Sequence, residues 1–134
     1  MTLVLDASVA VAWCFDENAS VANAALDLVE RRERTLAPLL LWFELHNAVL
    51  MGIRRGRATS DRAGELLARI EQMSIQLMPF PRSEDVLALS QRHRLTFYDA
   101  AYLELALREK AALATLDDAL ARAADAEGVA LSGA

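Results

Sequence analysis

Short apolar runs recur along this chain, each too brief for a helix and separated from the next by longer segments with helical spacing. The runs are Leu3–Leu5, Thr35–Pro38, Ile75–Met78, Ala112–Thr115 and Val129–Leu131. Between the first two, Ser20–Arg34 puts Val21, Ala24, Ala25, Leu28 and Val29 on one helical face. Leu40–Arg55 is a strongly apolar helix that stops at Gly56, a fitting C-cap. Further helices are expected at Ala7–Phe15, from Thr59 or Ser60 to about Met73, and from a Ser83 cap to about Arg92. Two more follow at Tyr98–Glu109 and Asp118–Glu127, and Asp16–Asn18 reads as a turn. Strands separated by helices pair in parallel through crossovers, which covers both faces of the sheet. The expected fold is therefore α/β, with a mostly parallel sheet between helical layers.

The 134 residues fit one domain, 1–134, and a hydrophobic share of 54% suffices for a real core. No apolar stretch reaches the length of a membrane span; Leu39–Phe43 is far too short. The start of the chain lacks the basic and cleavage pattern of a signal peptide. Cys14 stands alone, which rules out an internal disulfide and fits a reducing cytoplasm. With only His46 and His93 beside it, a structural zinc site is a poor fit. A net charge of −5 argues against a protein that simply coats nucleic acid. It does not argue against a metal nuclease, because bound cations reverse the local sign. The arginines at 31, 32 and 34, and at 54, 55 and 57, read best as solvated helix ends.

Ligands of open parallel sheets bind outside the carboxyl ends of the strands. Asp6 ends the first apolar run, and Asp117 follows Ala111–Leu116. Asp99 opens one helix and Glu44 lies early in another. Singly, most have ordinary explanations. Asp6 would cap the next helix, and Asp99 would meet a helix dipole. Thr115-Leu116-Asp117-Asp118 fits a capping box in which Thr115 caps and Asp118 reaches back. Glu44 is harder to explain, since Leu40, Leu41, Trp42, Phe43 and Leu45 surround it in sequence and a bare buried carboxylate is costly. Asn47 shares its face one turn on. Gathered together, such acids repel unless a proton or cation intervenes, and an all-oxygen set suits Mg²⁺ or Mn²⁺. Ser8 reads as a helix-start hydroxyl that can also hold a carboxylate; no flanking glycines make it a nucleophile elbow. Trp13, Trp42 and Phe43 are expected in the core.

Four stretches together resemble PIN-domain ribonucleases, especially the VapC toxins of bacterial toxin–antitoxin pairs. They are Leu3-Val4-Leu5-Asp6-Ala7-Ser8-Val9, Phe43-Glu44-Leu45-His46-Asn47-Ala48-Val49-Leu50, Thr96-Phe97-Tyr98-Asp99-Ala100-Ala101-Tyr102 and Leu113-Ala114-Thr115-Leu116-Asp117. The likeness runs from the first strand to the last helix. It implies a three-layer α/β/α fold with a parallel sheet of about five strands, and endonucleolytic cleavage of RNA dependent on Mg²⁺ or Mn²⁺. Asp6, Glu44, Asp99 and Asp117 carry over as the acidic metal site, with Ser8, Asn47 and Thr115 as supporting polar residues. Asp118 directly follows Asp117, leaving two candidates for one place. A homodimer and a small VapB-type antitoxin whose C-terminal segment blocks the site are also implied.

Two other readings compete. The same fold with little catalysis would serve as an RNA- or protein-binding module, although such a module has scant need of four acids. A phosphohydrolase using Asp6 as nucleophile fits worse: no second aspartate follows closely, and Lys110 lies in or just after a helix.

Overall fold

Leu3, Val4 and Leu5 are fully buried, so the first strand has no solvent face and must be covered on both sides. A computed structural model, describing residues 1–15 and 17–133, shows what covers it. The sheet holds β1 (Thr2–Leu5), β2 (Arg34–Pro38), β3 (Ile75–Met78) and β4 (Ala112–Ala114) in the order β3-β2-β1-β4. All pairings are parallel: Thr2 lies opposite Arg34, Thr35 opposite Ile75, and Leu5 opposite Ala114. The helices are α1 (Ala7–Cys14), α2 (Ser20–Glu30), α3 (Leu40–Arg54), α4 (Ser60–Glu71), α5 (Ser83–His93), α6 (Phe97–Arg108) and α7 (Asp118–Ala126).

The chain steps outward from β1 to β2 to β3, then crosses back past β1 to place β4 on its other side. Right-handed crossovers then send α1–α4 to one face and α5–α6 to the other. The packing agrees. Helix α1 lies against α2, α3 and α4, while α6 lies against β1, β2 and β4 and against α5 and α7. Both inner helices are apolar nearly all round, as a buried helix must be. In α6 every residue from Ala100 to Ala106 is buried. The outer helices α2 and α7 bury one stripe each, Ala22, Ala25 and Val29 in one and Leu120, Ala123 and Ala124 in the other.

Most expected elements are present to within a residue or two at the ends, but the helix expected over Ser20–Arg34 stops at Glu30, with Arg34 already in β2, and several other details differ. The sheet has four strands. The fifth run contributes only one parallel bridge, Leu131 to Leu113, because the chain turns again at Ser132 and Gly133 before a ladder can extend. Thr59 does cap α4, accepting the Arg62 N–H at 3.2 Å. Ser83 does not cap α5; it is the first helical residue, and Arg82 occupies the cap position. Gly56 follows α3 with a φ of 75°, a left-handed turn that its missing Cβ permits. The turn expected at Asp16–Asn18 begins on Asp16, outside the described residues. Trp13 is partly buried and donates its indole N–H to the Ala22 carbonyl, but Trp42 and Phe43 are 45% and 59% exposed. An apolar helix offers more apolar residues than one buried stripe can take, and α3 buries Leu41, Leu45 and Val49 instead.

Candidate active site

The strand order reverses at β1, and this is where parallel sheets open a crevice at their carboxyl edge. Asp6 stands there. Its backbone N–H continues the ladder to the Ala114 carbonyl, and its side chain is 5% exposed. It occupies the N-cap position of α1, yet its carboxylate caps nothing. Instead Oδ2 accepts the hydroxyls of Ser8 at 2.5 Å and Thr115 at 2.8 Å. Each hydroxyl also accepts a backbone N–H: Leu116 donates to Ser8, and Asp117 donates to Thr115. The loop after β4 is thus latched to the end of β1 through two side chains, and every hydroxyl both gives and takes.

That latch overturns the capping box expected at Thr115. Thr115 is occupied by Asp6, and Asp117 is the cap of α7, accepting the Leu120 N–H at 2.9 Å. Asp118, the alternative acid, is the exposed first residue of α7. Asp99 sits in the first turn of α6, where Thr96 caps the helix by accepting the Asp99 N–H at 3.1 Å. Glu44 is half-buried in α3, and Oε1 accepts the Tyr102 hydroxyl at 2.6 Å. Asn47 is exposed, and no hydrogen bond ties it to the acids.

The electrostatics link the four carboxylates. Burial raises Asp6 above the ordinary carboxylate range; the Ser8 and Thr115 hydroxyls offset part of this, and the Asp117 charge adds to it. Burial also raises Glu44, against the Tyr102 hydrogen bond and with repulsion from Asp6 and Asp99. Asp99 is raised by burial, then by Asp117 and Asp6. Tyr102 is pushed up by burial and by Glu44, so it stays a donor. Among the described residues no Lys, Arg or His forms an ion pair with any of the four. A divalent ion fits this donor set, which is all hard oxygen and carries uncompensated charge. As the side chains stand, no three His, Cys, Asp or Glu among the described residues are drawn in closely enough to hold an ion unaided.

The sequence profile of the PIN domain matches residues 3–126. The chain belongs to the PIN-domain family. Ribonuclease VapC3 of Pyrobaculum aerophilum is 33% identical to this PIN domain over 125 residues, covering 90% of this chain and 93% of that protein. The crystal structure of PAE2754 from Pyrobaculum aerophilum matches with a TM-score of 0.69 at 24% identity, over 92% of this chain and 79% of that one. Mycobacterium tuberculosis VapC20, a toxin that cleaves the sarcin-ricin loop, matches with a TM-score of 0.64 at 15% identity, over 90% and 94%. At these identities the two structures speak to the fold alone.

One residue of this PIN domain's site was not singled out by sequence reasoning. Tyr102 lies three residues after Asp99, so both share a face of α6. That spacing, together with the need of a buried phenol for a partner, was the available signal.

Proposed function

We propose that this PIN domain is a divalent-metal-dependent endoribonuclease and the toxin of a toxin–antitoxin pair, acting in the cytoplasm as one domain over 1–134. The observation that carries the reading is the set of four mutually repelling carboxylates at the switch point of the sheet, with hydroxyl and N–H donors and no internal cation among the described residues. The likeness to Ribonuclease VapC3 supports the substrate class.

Asp6, Glu44, Asp99 and Asp117 would hold Mg²⁺ or Mn²⁺. When bound, such an ion activates water toward a phosphodiester and offsets negative charge on the phosphoryl and leaving oxygens. The protein's own contribution is placement. Ser8 and Thr115 fix Asp6, the Leu120 N–H fixes Asp117, and the Thr96 cap sets Asp99. The sheet edge and the two inner helices hold these groups on rigid elements, so little reorganisation is needed at reaction. No histidine is required in this chemistry, and His46 and His93 lie elsewhere, against Trp42 and Glu127.

The partner roles have separate support. Leu39, Phe97 and Tyr98 are exposed and line an apolar groove that also takes in Pro38, Met78 and Ala101. Asp99 directly follows this pair of rings, so an antitoxin segment lying in the groove would reach the site. Exposed Trp42 and Phe43 on α3 offer surface for a homodimer. No helix among the described residues is long and apolar enough to cross a membrane.

The deciding experiment incubates purified protein with total RNA in Mg²⁺, in Mn²⁺ and in chelator. Discrete cuts that need the metal and disappear in Asp99→Asn are expected. Equal cutting by folded Asp99→Asn would overturn the assignment. Binding of RNA or of a partner with neither metal uptake nor cutting would favour the binding module.

A further inference from the structure

The carboxylate of Glu44 has a single tether, and it comes from another helix. Asp6 is held by two hydroxyls and Asp117 by a backbone N–H, while the Thr96 cap engages the backbone N–H of Asp99. Glu44 has a longer side chain with more rotamers to lose, and one hydrogen bond restrains it. That bond comes from Tyr102, at 2.6 Å, from α6 across to α3 and from a residue 58 positions away in sequence. Tyr102 is 0% exposed, so water does not compete for its hydroxyl and packing fixes its ring. A phenylalanine would fill the same volume in the core; the hydroxyl is needed only where it meets Glu44.

We propose that Tyr102 is a positioning residue of the divalent-metal site, holding Oε1 of Glu44 from α6 so that the carboxylate's remaining lone pairs are left for the ion. The inference rests on the metal-site reading given above. Partners that orient a metal ligand are worth about 10–100-fold in metal affinity or activity when removed.

The test is Mn²⁺ binding to the metal-free full chain, by calorimetric titration, for wild type, Tyr102→Phe, Glu44→Ala and the double variant. Tyr102→Phe should weaken Mn²⁺ binding by about 10–100-fold. Its metal-free melting temperature should stay within a few degrees of wild type, and RNA cleavage should recover as Mn²⁺ is raised in proportion. In the Glu44→Ala background the second substitution should cost nothing further, because the hydroxyl then has no carboxylate to hold. Wild-type Mn²⁺ affinity in Tyr102→Phe overturns the inference. So does an equal loss with and without Glu44, or collapse of the metal-free fold, since either makes the hydroxyl structural. These failures differ from failure of the proposed function, in which wild type itself takes up no Mn²⁺.

Discussion

Helix α6 carries a buried acid near one end and a partly buried one near the other, and handles them differently. Near its C-terminus Glu104 is 2% exposed, lies 2.8 Å from the Arg108 Nε and accepts the Arg82 backbone N–H. Arg108 is raised further above its usual range by that hydrogen bond. Next to this pair Glu127 takes Arg92 at 2.8 Å and His93 at 2.6 Å, and the Arg92 and His93 hydrogen bonds lower it. Near the N-terminus, Asp99 faces Asp6, Glu44 and Asp117 with no cation among the described residues. The same helix shows that this sequence can neutralise a buried carboxylate from within. Where it does not, the acids repel one another unless a proton or a cation intervenes, and the proposed metal would supply the missing charge.

The comparison breaks most sharply if the acid at the N-terminal end is neutralised. Asp99→Asn should lower RNA cleavage by about 10²-fold or more, the scale of losing one electrostatic contact to a transition state. The same change should leave the metal-free melting temperature equal or higher, because it removes repulsion. A lower melting temperature would mean that Asp99 is structural after all. At the other end the effect should fall on stability. Glu104→Ala strands Arg108 and the Arg82 N–H, and should cost about 3 kcal/mol in urea unfolding, with cleavage by the folded fraction retained.

Acidity supplies a third test. Asp6, Glu44 and Asp99 all have raised values in the folded state, so the native protein binds their protons more tightly than the unfolded chain does. Their contribution to the stability of the metal-free protein should be fullest below the ordinary carboxylate range and should be lost as pH rises through the raised values. Mn²⁺ at about a hundred times its Kd should return about 2.7 kcal/mol at neutral pH. Melting curves across pH for wild type and Asp99→Asn, with and without Mn²⁺, check both directions; the same pH dependence in both metal-free proteins would refute the repulsion. The smallest effect is expected at Asp118. It is exposed on α7, so Asp118→Asn should change stability by less than about 0.5 kcal/mol and leave RNA cleavage near wild type. The contrast with Asp117→Asn sharpens which of the two adjacent acids belongs to the cluster.

Strands such as Leu3–Leu5 and Ile75–Met78 were legible because a short apolar run between helical segments has little else to become. Val129–Leu131 has the same composition but lacks room, with the chain turning again at Ser132, and pattern alone does not report room. The placement of Asp6 and Asp117 followed from the rule that ligands gather at carboxyl edges of parallel sheets. What did not follow was who holds whom. Thr115 reads equally well as a cap or as a partner for Asp6, and only the approach of β1 to β4 decides it. Trp42 and Phe43 were misplaced because hydrophobicity fixes how apolar α3 is and leaves its rotation open. Tyr102 was missed because an aromatic residue within an apolar helix looks like filler, and its hydroxyl matters only once α3 and α6 meet.

The latch between Asp6 and Thr115 spans 109 positions of sequence. A chain emerging from the ribosome carries Asp6 well before Thr115 and Asp117 have been made. Without β4 the first strand also lacks one of its two neighbours in the sheet. For a protein proposed to cut RNA, the order of synthesis is thus a built-in delay. The blade is assembled only once both sides of the latch have been made.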